Sequence, residues 1–203
     1  EYSDQTRFGI GYRSQVKHKL KGDIKFEGLM LPANQDISAR ITTPANLTIG
    51  AYHDINDKWS VMAEFGRTYW SSFDTLDIYG ENNGKMSTTE ERWKDTTFYA
   101  IGASYQYNDQ WKFRVGFAVD QSAVGQEYRT PRIPDSDRLW YSSGIEYKYN
   151  DDWTFNLGYT YIRADKGKVK LLGYHDGDNA RGSLQADYEN DIHILGFGAS
   201  YNF

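Results

Sequence analysis

The sequence has no cysteine and no long apolar stretch, and both absences exclude classes of protein. Without a thiol, the 203-residue chain can form no disulfide, no thiolate metal site and no cysteine nucleophile. No apolar run approaches the roughly 18 residues that a transmembrane helix needs, which excludes a helical membrane protein. The net charge is −5 and no basic block occurs, so nucleic acid is not expected as a partner. No residue pattern predicts a cofactor.

Aromatic residues are abundant on a chain that is otherwise polar. There are 17 Tyr, 10 Phe and 6 Trp, yet the mean hydropathy is −0.75. Water-soluble domains rarely combine these properties. In a transmembrane β-barrel, by contrast, one face of each strand meets lipid and the other meets a wet interior. The composition therefore favours a barrel, and the length favours one domain.

Bulky and small or polar residues alternate along the chain with the period of a β-strand. Trp111, Phe113 and Val115, for example, alternate with Lys112 and Arg114. The pattern predicts an all-β fold, an antiparallel up-and-down transmembrane barrel segment with strands at roughly 5–17, 36–54, 58–79, 96–107, 111–123, 138–149, 153–166 and 185–203. The bulky face is expected to contact lipid. The charged residues expected on the opposite, inward face are Arg7, Arg13, Glu64, Lys112, Arg114, Asp120, Glu146 and Lys148.

Three predicted short turns share the pattern Asn-Asp-x-Trp and place Trp59, Trp111 and Trp153 just after a turn. Asn and Asp tolerate the positive φ of tight hairpins. Trp prefers the boundary between membrane and water, so the three residues are predicted to mark one membrane interface. A generic hairpin motif is the alternative interpretation.

The connections at the opposite edge are long and polar, at roughly 18–35, 80–95, 122–137 and 167–184. Short turns on one side and long loops on the other are typical of outer-membrane barrels, whose short turns are periplasmic. The pattern therefore predicts a Gram-negative outer-membrane location with a periplasmic C-terminus. The chain ends on Phe203, in register with the bulky face, which predicts a signal for the outer-membrane assembly machinery.

Several motifs occur in a fixed order along the chain: Thr6-Arg7 through Tyr12-Arg13-Ser14, Pro44-Ala45-Asn46-Leu47, Trp70-Ser71-Ser72-Phe73, Trp93-Lys94-Asp95-Thr96 and Ile133-Pro134-Asp135-Ser136-Asp137-Arg138. Together they resemble the FadL/TodX (OmpP1) family of outer-membrane transporters. The resemblance implies transport of long-chain fatty acids or other hydrophobic compounds, with membrane lipid and lipopolysaccharide as surroundings.

Members of that family are fourteen-stranded barrels with an N-terminal hatch and a lateral opening. This chain resembles only the last eight strands, so residues 1–203 are expected to form one barrel segment without the hatch. A fragment, a truncation and an engineered small barrel all fit. An eight-stranded barrel that closes alone has no room for an acyl chain, whereas an open one leaves unpaired edges that are costly in lipid.

Two groups of residues are predicted to bind substrate. Arg13 or Arg114 could pair with a carboxylate through the planar guanidinium. The alternative is an interior filled by salt bridges. Apolar loop residues could form a surface groove, insert into the lipopolysaccharide leaflet or pack on each other; these candidates are Phe26, Leu29, Leu171 and Leu172.

The Pro-Asp-x-Asp-Arg element is predicted to be structural, with Pro134 fixing a turn and Arg138 pairing an aspartate. Asp135 and Asp137 could instead guide substrate or bind calcium.

Two other functions fit less well. A lipid hydrolase needs a serine–histidine–acid set, and none of the histidines at 18, 53, 175 and 193 has a serine in an obvious partner position. A small closed barrel without transport is the other alternative.

Overall fold

The computed structural model describes residues 3–25, 27, 34–81, 84–173 and 182–203, and these form antiparallel β-structure. The strands are β1 (Thr6–Arg13), β2 (Val16–Ile24), β3 (Gln35–Thr43), β4 (Asn46–Asp54), β5 (Trp59–Thr68), β6 (Thr75–Tyr79), β7 (Lys85–Glu90), β8 (Thr96–Gln106), β9 (Trp111–Asp120), β10 (Arg138–Lys148), β11 (Trp153–Ala164), β12 (Gly167–Leu171), β13 (Leu184–Tyr188) and β14 (Asp191–Tyr201). A 3-10 turn covers Trp70–Ser72. Within the described residues, no helix is long and apolar enough to cross a membrane.

The main sheet contains eight antiparallel strands in the order β1-β4-β5-β8-β9-β10-β11-β14. This confirms the predicted all-β, antiparallel fold and its eight principal strands. Where the chain is described, β1 and β14 each pair on one side only, so the barrel wall is open. The sequence had left closure undecided.

Two smaller sheets extend the wall beyond the ends of its strands. One contains β2-β3-β6-β7 and the other β12-β13. The predicted strands 5–17, 36–54, 58–79 and 185–203 are therefore wrong as continuous elements, and the predicted loops 18–35, 80–95 and 167–184 contain β-structure. The breaks within 5–17 and 36–54 have the same cause. Pro44 has no N–H to donate, and the ladder is interrupted where 44–45 face 14–15.

The three short turns are built by asparagine side chains. Asn150 Oδ1 accepts hydrogen bonds from the backbone N–H groups of Asp152 at 3.1 Å and Trp153 at 2.7 Å. The turns at 55–58 and 107–110 repeat this arrangement. The prediction that these turns use positive φ is wrong, because Arg92 is the one described non-glycine residue with positive φ. We call this edge of the wall the turn end and the opposite edge the loop end.

The pairing register separates the side chains of the wall into two faces. It confirms that the eight charged residues predicted to point inward share one face, here called the small-residue face. The bulky face is largely exposed: Ile10 is 77% exposed, Val115 62% and Phe197 75%. Tight packing instead occurs mainly at the loop end, where Phe73, Val124, Val169 and Leu171 are buried. Such burial is the reverse of that in a water-soluble sandwich.

Candidate functional site

An open trough of about 1060 Å³ is lined mainly by residues of the small-residue face, and Val115, Leu157 and Phe197 of the bulky face also border it. The side chains that project into it include Arg7, Tyr52, Glu64, Arg114 and Asn156. Between them, several glycines remove side-chain volume from the floor: Gly9, Gly50, Gly102, Gly116, Gly144, Gly158, Gly196 and Gly198. The alternation of glycine with bulky residues thus leaves space on one side of the sheet and a wide apolar surface on the other.

Arg114 lies near the middle of the trough, and its charge is already paired. One guanidinium nitrogen, Nη2, forms a short ion pair with Glu146, and Nη1 donates to Asn156 Oδ1 at 3.3 Å. Cross-strand neighbours on β9, β10 and β11 bring these three side chains together. This geometry favours the salt-bridged interior over a free carboxylate-binding site at Arg114.

Arg7 and Arg13 lie on the same face of β1 but differ in their partners. The guanidinium of Arg7 lies over the Tyr52 ring, 4.2 Å from its centre, and 3.9 Å from Asp54. Arg13, at the loop end of β1, is exposed and forms no ion pair with any residue that the structure describes. Of the two predicted carboxylate ligands, Arg13 is therefore the one that is available.

The Pro-Asp-x-Asp-Arg element joins β9 to β10 through a small ionic network. Arg138 donates to Asp120 and to Asp135, each at 2.9 Å. Asp135 also accepts from the Ser122 hydroxyl at 2.8 Å, and Asp137 accepts from the Ser122 backbone N–H at 2.7 Å. These contacts account for both loop aspartates without a metal ion, and the described residues contain no group of three acidic or histidine side chains that could hold one.

Arg129, which was not predicted from the sequence, ties three loop-end segments together. The side chain is buried, and its nitrogens donate to the backbone oxygens of Asp135 at 2.6 Å, Lys168 at 2.8 Å and Val124 at 3.3 Å. No local pattern marks this arginine. Its partners are backbone groups, which are identical at every position in a sequence.

Two motifs that resemble the transporter family pack against each other at the loop end. The Trp93 ring lies 4.8 Å from that of Trp70 and 5.0 Å from that of Phe73. Asp95 accepts a hydrogen bond from the Ser71 backbone N–H at 2.9 Å and lies 3.7 Å from Arg67. The hydrogen bond from the Ser71 N–H, helped by the Ser71 side chain and then by the Arg67 charge, outweighs burial and holds the pKa of the Asp95 carboxyl below its ordinary value.

The four apolar loop residues predicted to bind substrate differ in their surroundings. Leu171 is only 6% exposed, so the exposed position expected of it is not found. It packs within the loop end, in line with the alternative in which these residues pack on each other. Leu172 is half-buried, while Phe26 and Leu29 lie outside the described residues.

The predicted interface tryptophans lie at the turn end of three strands. Each ring contacts a tyrosine of the neighbouring strand: Trp59 with Tyr105, Trp111 with Tyr147 and Trp153 with Tyr201, at 4.6, 4.4 and 4.9 Å. Phe203 lies beyond this row, fully exposed, with its ring 5.3 Å from that of Tyr201.

The described histidines contact hydroxyl groups of threonine or tyrosine. His53 lies 2.9 Å from Thr6 Oγ1, and His193 lies 2.7 Å from the Tyr159 hydroxyl. His18 lies 3.3 Å from Thr43 Oγ1. Within the described residues, none of these three histidines forms a hydrogen bond with a serine, as the nucleophile pair of a hydrolase would require. His175 is outside the described residues.

A family model described as outer membrane protein transport protein (OMPP1/FadL/TodX) matches residues 1–203. The chain belongs to this family. A long-chain fatty acid transport protein of Escherichia coli O6:H1 is 29% identical over 218 residues, covering 100% of this chain and 47% of that protein. Outer membrane protein P1 of Haemophilus influenzae is 28% identical over 100% of this chain and 45% of its own length.

Solved structures agree with the fold. A Pseudomonas aeruginosa FadL homologue superposes with a TM-score of 0.87 at 25% identity, covering 99% of this chain and 50% of the other. The Pseudomonas putida toluene transporter TodX superposes with a TM-score of 0.63 at 21% identity, which supports the fold alone. The chain therefore spans about half the length of these FadL/TodX relatives.

Proposed function

We propose that this chain forms part of the wall of an outer-membrane channel for hydrophobic compounds, with long-chain fatty acids as the substrate. This proposal depends mainly on one observation, the trough of about 1060 Å³ along the small-residue face. A wall whose bulky side chains point outward and whose inner side is lined largely by glycine leaves a passage beside a lipid-facing surface. The name of the E. coli relative, a long-chain fatty acid transport protein, supports a hydrophobic substrate.

In this proposal the turn end and the C-terminus face the periplasm, because short turns are periplasmic in such barrels. Trp59, Trp111 and Trp153 then lie at the periplasmic membrane interface, and Phe203 is presented to the assembly machinery. The bulky face contacts membrane lipid, and lipopolysaccharide surrounds the loop end.

The open edges of the wall require partners. The strands β1 and β14 expose backbone N–H and C=O groups that would each cost several kcal/mol unpaired in lipid. We propose that further strands of the natural polypeptide pair with both edges and complete the barrel. Within it, Arg13 receives the substrate carboxylate, while the Arg114–Glu146 pair shapes the interior.

The test is uptake by a Gram-negative strain that lacks its own fatty acid transporter and expresses the natural polypeptide carrying these residues. Radiolabelled oleate and toluene are supplied separately. Saturable oleate uptake supports the proposal. Uptake of toluene alone would replace fatty acids by aromatic hydrocarbons as the substrate, and uptake of neither would refute the transport function.

A further inference from the structure

Five cations share one face of the first two strand pairs and form what we call the cationic stripe: Arg13, Lys17, Lys19, Lys21 and Arg40. All five are exposed. None forms an ion pair with a described residue, although the chain as a whole carries a net charge of −5. The stripe ends at Asp23, whose carboxylate lies 3.9 Å from Lys25.

The stripe lies on the same face as the trough. Arg13 pairs with Asn46 before the break in the ladder and Val16 pairs with Thr43 after it, so the register resumes unshifted. Side chains alternate between faces along a strand. The lysines at 17, 19 and 21 therefore continue the face that carries Arg7 and Arg13, over roughly 26 Å from Arg13 to Lys21.

One contact within the stripe is unfavourable for folding. Lys19 lies directly opposite Arg40 in the antiparallel pair of β2 and β3. Like charges directly opposite each other destabilise a sheet. Lysines are common on edge strands, where they prevent aggregation, but this does not account for Arg40, because β3 pairs with both β2 and β6.

We infer that the cationic stripe captures the carboxylate of an anionic amphiphile and guides it from the loop end into the trough. The inference rests on the proposed function and deepens it, because it makes the chain selective for charged over neutral hydrophobic compounds. A row of unpaired cations raises the local concentration of an anion and its rate of entry, and salt weakens this effect. A neutral compound gains nothing from it.

The experiment compares initial uptake rates of oleate and of toluene at low and high ionic strength, in cells expressing the natural polypeptide. The stripe variant is Lys17→Gln/Lys19→Gln/Lys21→Gln. The matched control, Lys94→Gln/Lys168→Gln/Lys170→Gln, removes the same charge from exposed lysines elsewhere at the loop end. Heat-modifiable migration on gels verifies that both variants fold.

We expect the stripe variant to lose oleate uptake by about ten-fold at low salt, with the difference shrinking as salt increases. Toluene uptake and the control variant should match the wild type. Unchanged oleate uptake in the stripe variant would overturn the inference while leaving transport intact. If the control variant loses as much oleate uptake as the stripe variant, the loss comes from net charge and the inference is wrong. If the stripe variant loses toluene uptake as strongly as oleate uptake, the substitutions have damaged the channel itself and the inference is also wrong.

Two further results are decisive. If the stripe variant loses only copurifying lipopolysaccharide, the cations bind lipid phosphate and the inference is wrong. If the wild type takes up neither compound, the proposed function fails and the inference fails with it.

Discussion

The guanidinium of Arg129 donates a hydrogen bond from Nη1 to the backbone oxygen of Lys168, at 2.8 Å. This contact joins the connection between β9 and β10 to the strand that follows β11. Because two other backbone oxygens also depend on the same buried side chain, we regard Arg129 as the main polar link within the loop end.

Replacement of Arg129 by Met should loosen the loop end without unfolding the wall. One buried and two part-buried backbone oxygens lose a charged donor, at a cost of about 2 kcal/mol or more. Hydrogen exchange should accelerate across 121–137 and 167–171 and stay slow in β9 and β10. Arg132→Met is the control, because Arg132 is exposed. Equal protection in both variants would contradict the role of Arg129.

The asparagine of each short turn should contribute through its side-chain oxygen. Asn150→Ala removes the acceptor of the Asp152 and Trp153 N–H groups, so stability should fall by about 1 kcal/mol. The measurement is the urea midpoint of the refolded barrel in lipid bilayers. Asn150→Asp keeps an acceptor oxygen and should lie close to the wild type. A similar loss in both variants would show that the amide, rather than the oxygen, matters.

Acidification should weaken the contact between Asp95 and the turn at Trp70–Ser72. The hydrogen bond from Ser71 lowers the pKa of Asp95 in the folded state, so the carboxylate stabilises the fold above the unfolded value of about 3.9. That contribution is lost as the pH falls through the lower, folded pKa. Urea midpoints measured at neutral pH and in acid should differ more for the wild type than for Asp95→Asn. Equal pH dependence of the two would exclude this carboxyl as a source.

Arg13 and Arg114 should respond differently to replacement by Gln. Loss of the unpaired Arg13 removes a charged partner for the substrate, and the apparent affinity for oleate should fall about ten-fold. Arg114→Gln should leave oleate affinity nearly unchanged and lower stability by roughly 1 kcal/mol, because Glu146 loses its ion-pair partner. Concentration-dependent uptake gives the affinity, and urea unfolding gives the stability. The reverse result would place the carboxylate at Arg114.

Much of the wall could be predicted from alternation alone. A residue pair such as Val115 and Phe117 repeats the strand period, and the period assigns each side chain to a face without knowledge of its neighbours. The interruptions of the strands were harder to predict from the sequence. Ser14 and Gln15 continue the alternation, and the ladder stops there because Pro44 lies opposite, which is a property of the pairing. Ending the first strand at residue 17 also hid the cationic stripe, since only a longer strand places Lys17, Lys19 and Lys21 on one face.

The sequence by itself determined the strand period, the two faces, the short turns and the resemblance to outer-membrane transporters, because each depends on residues close together in the chain. Tertiary structure decided which charges are paired and which are available. In the sequence, Arg114 and Arg13 are equivalent candidates for binding a carboxylate. They differ in the folded sheet, which places Glu146 beside Arg114 and no described acidic residue beside Arg13. Ion pairing falls off within a few ångströms, so it is set by register and packing across distant segments.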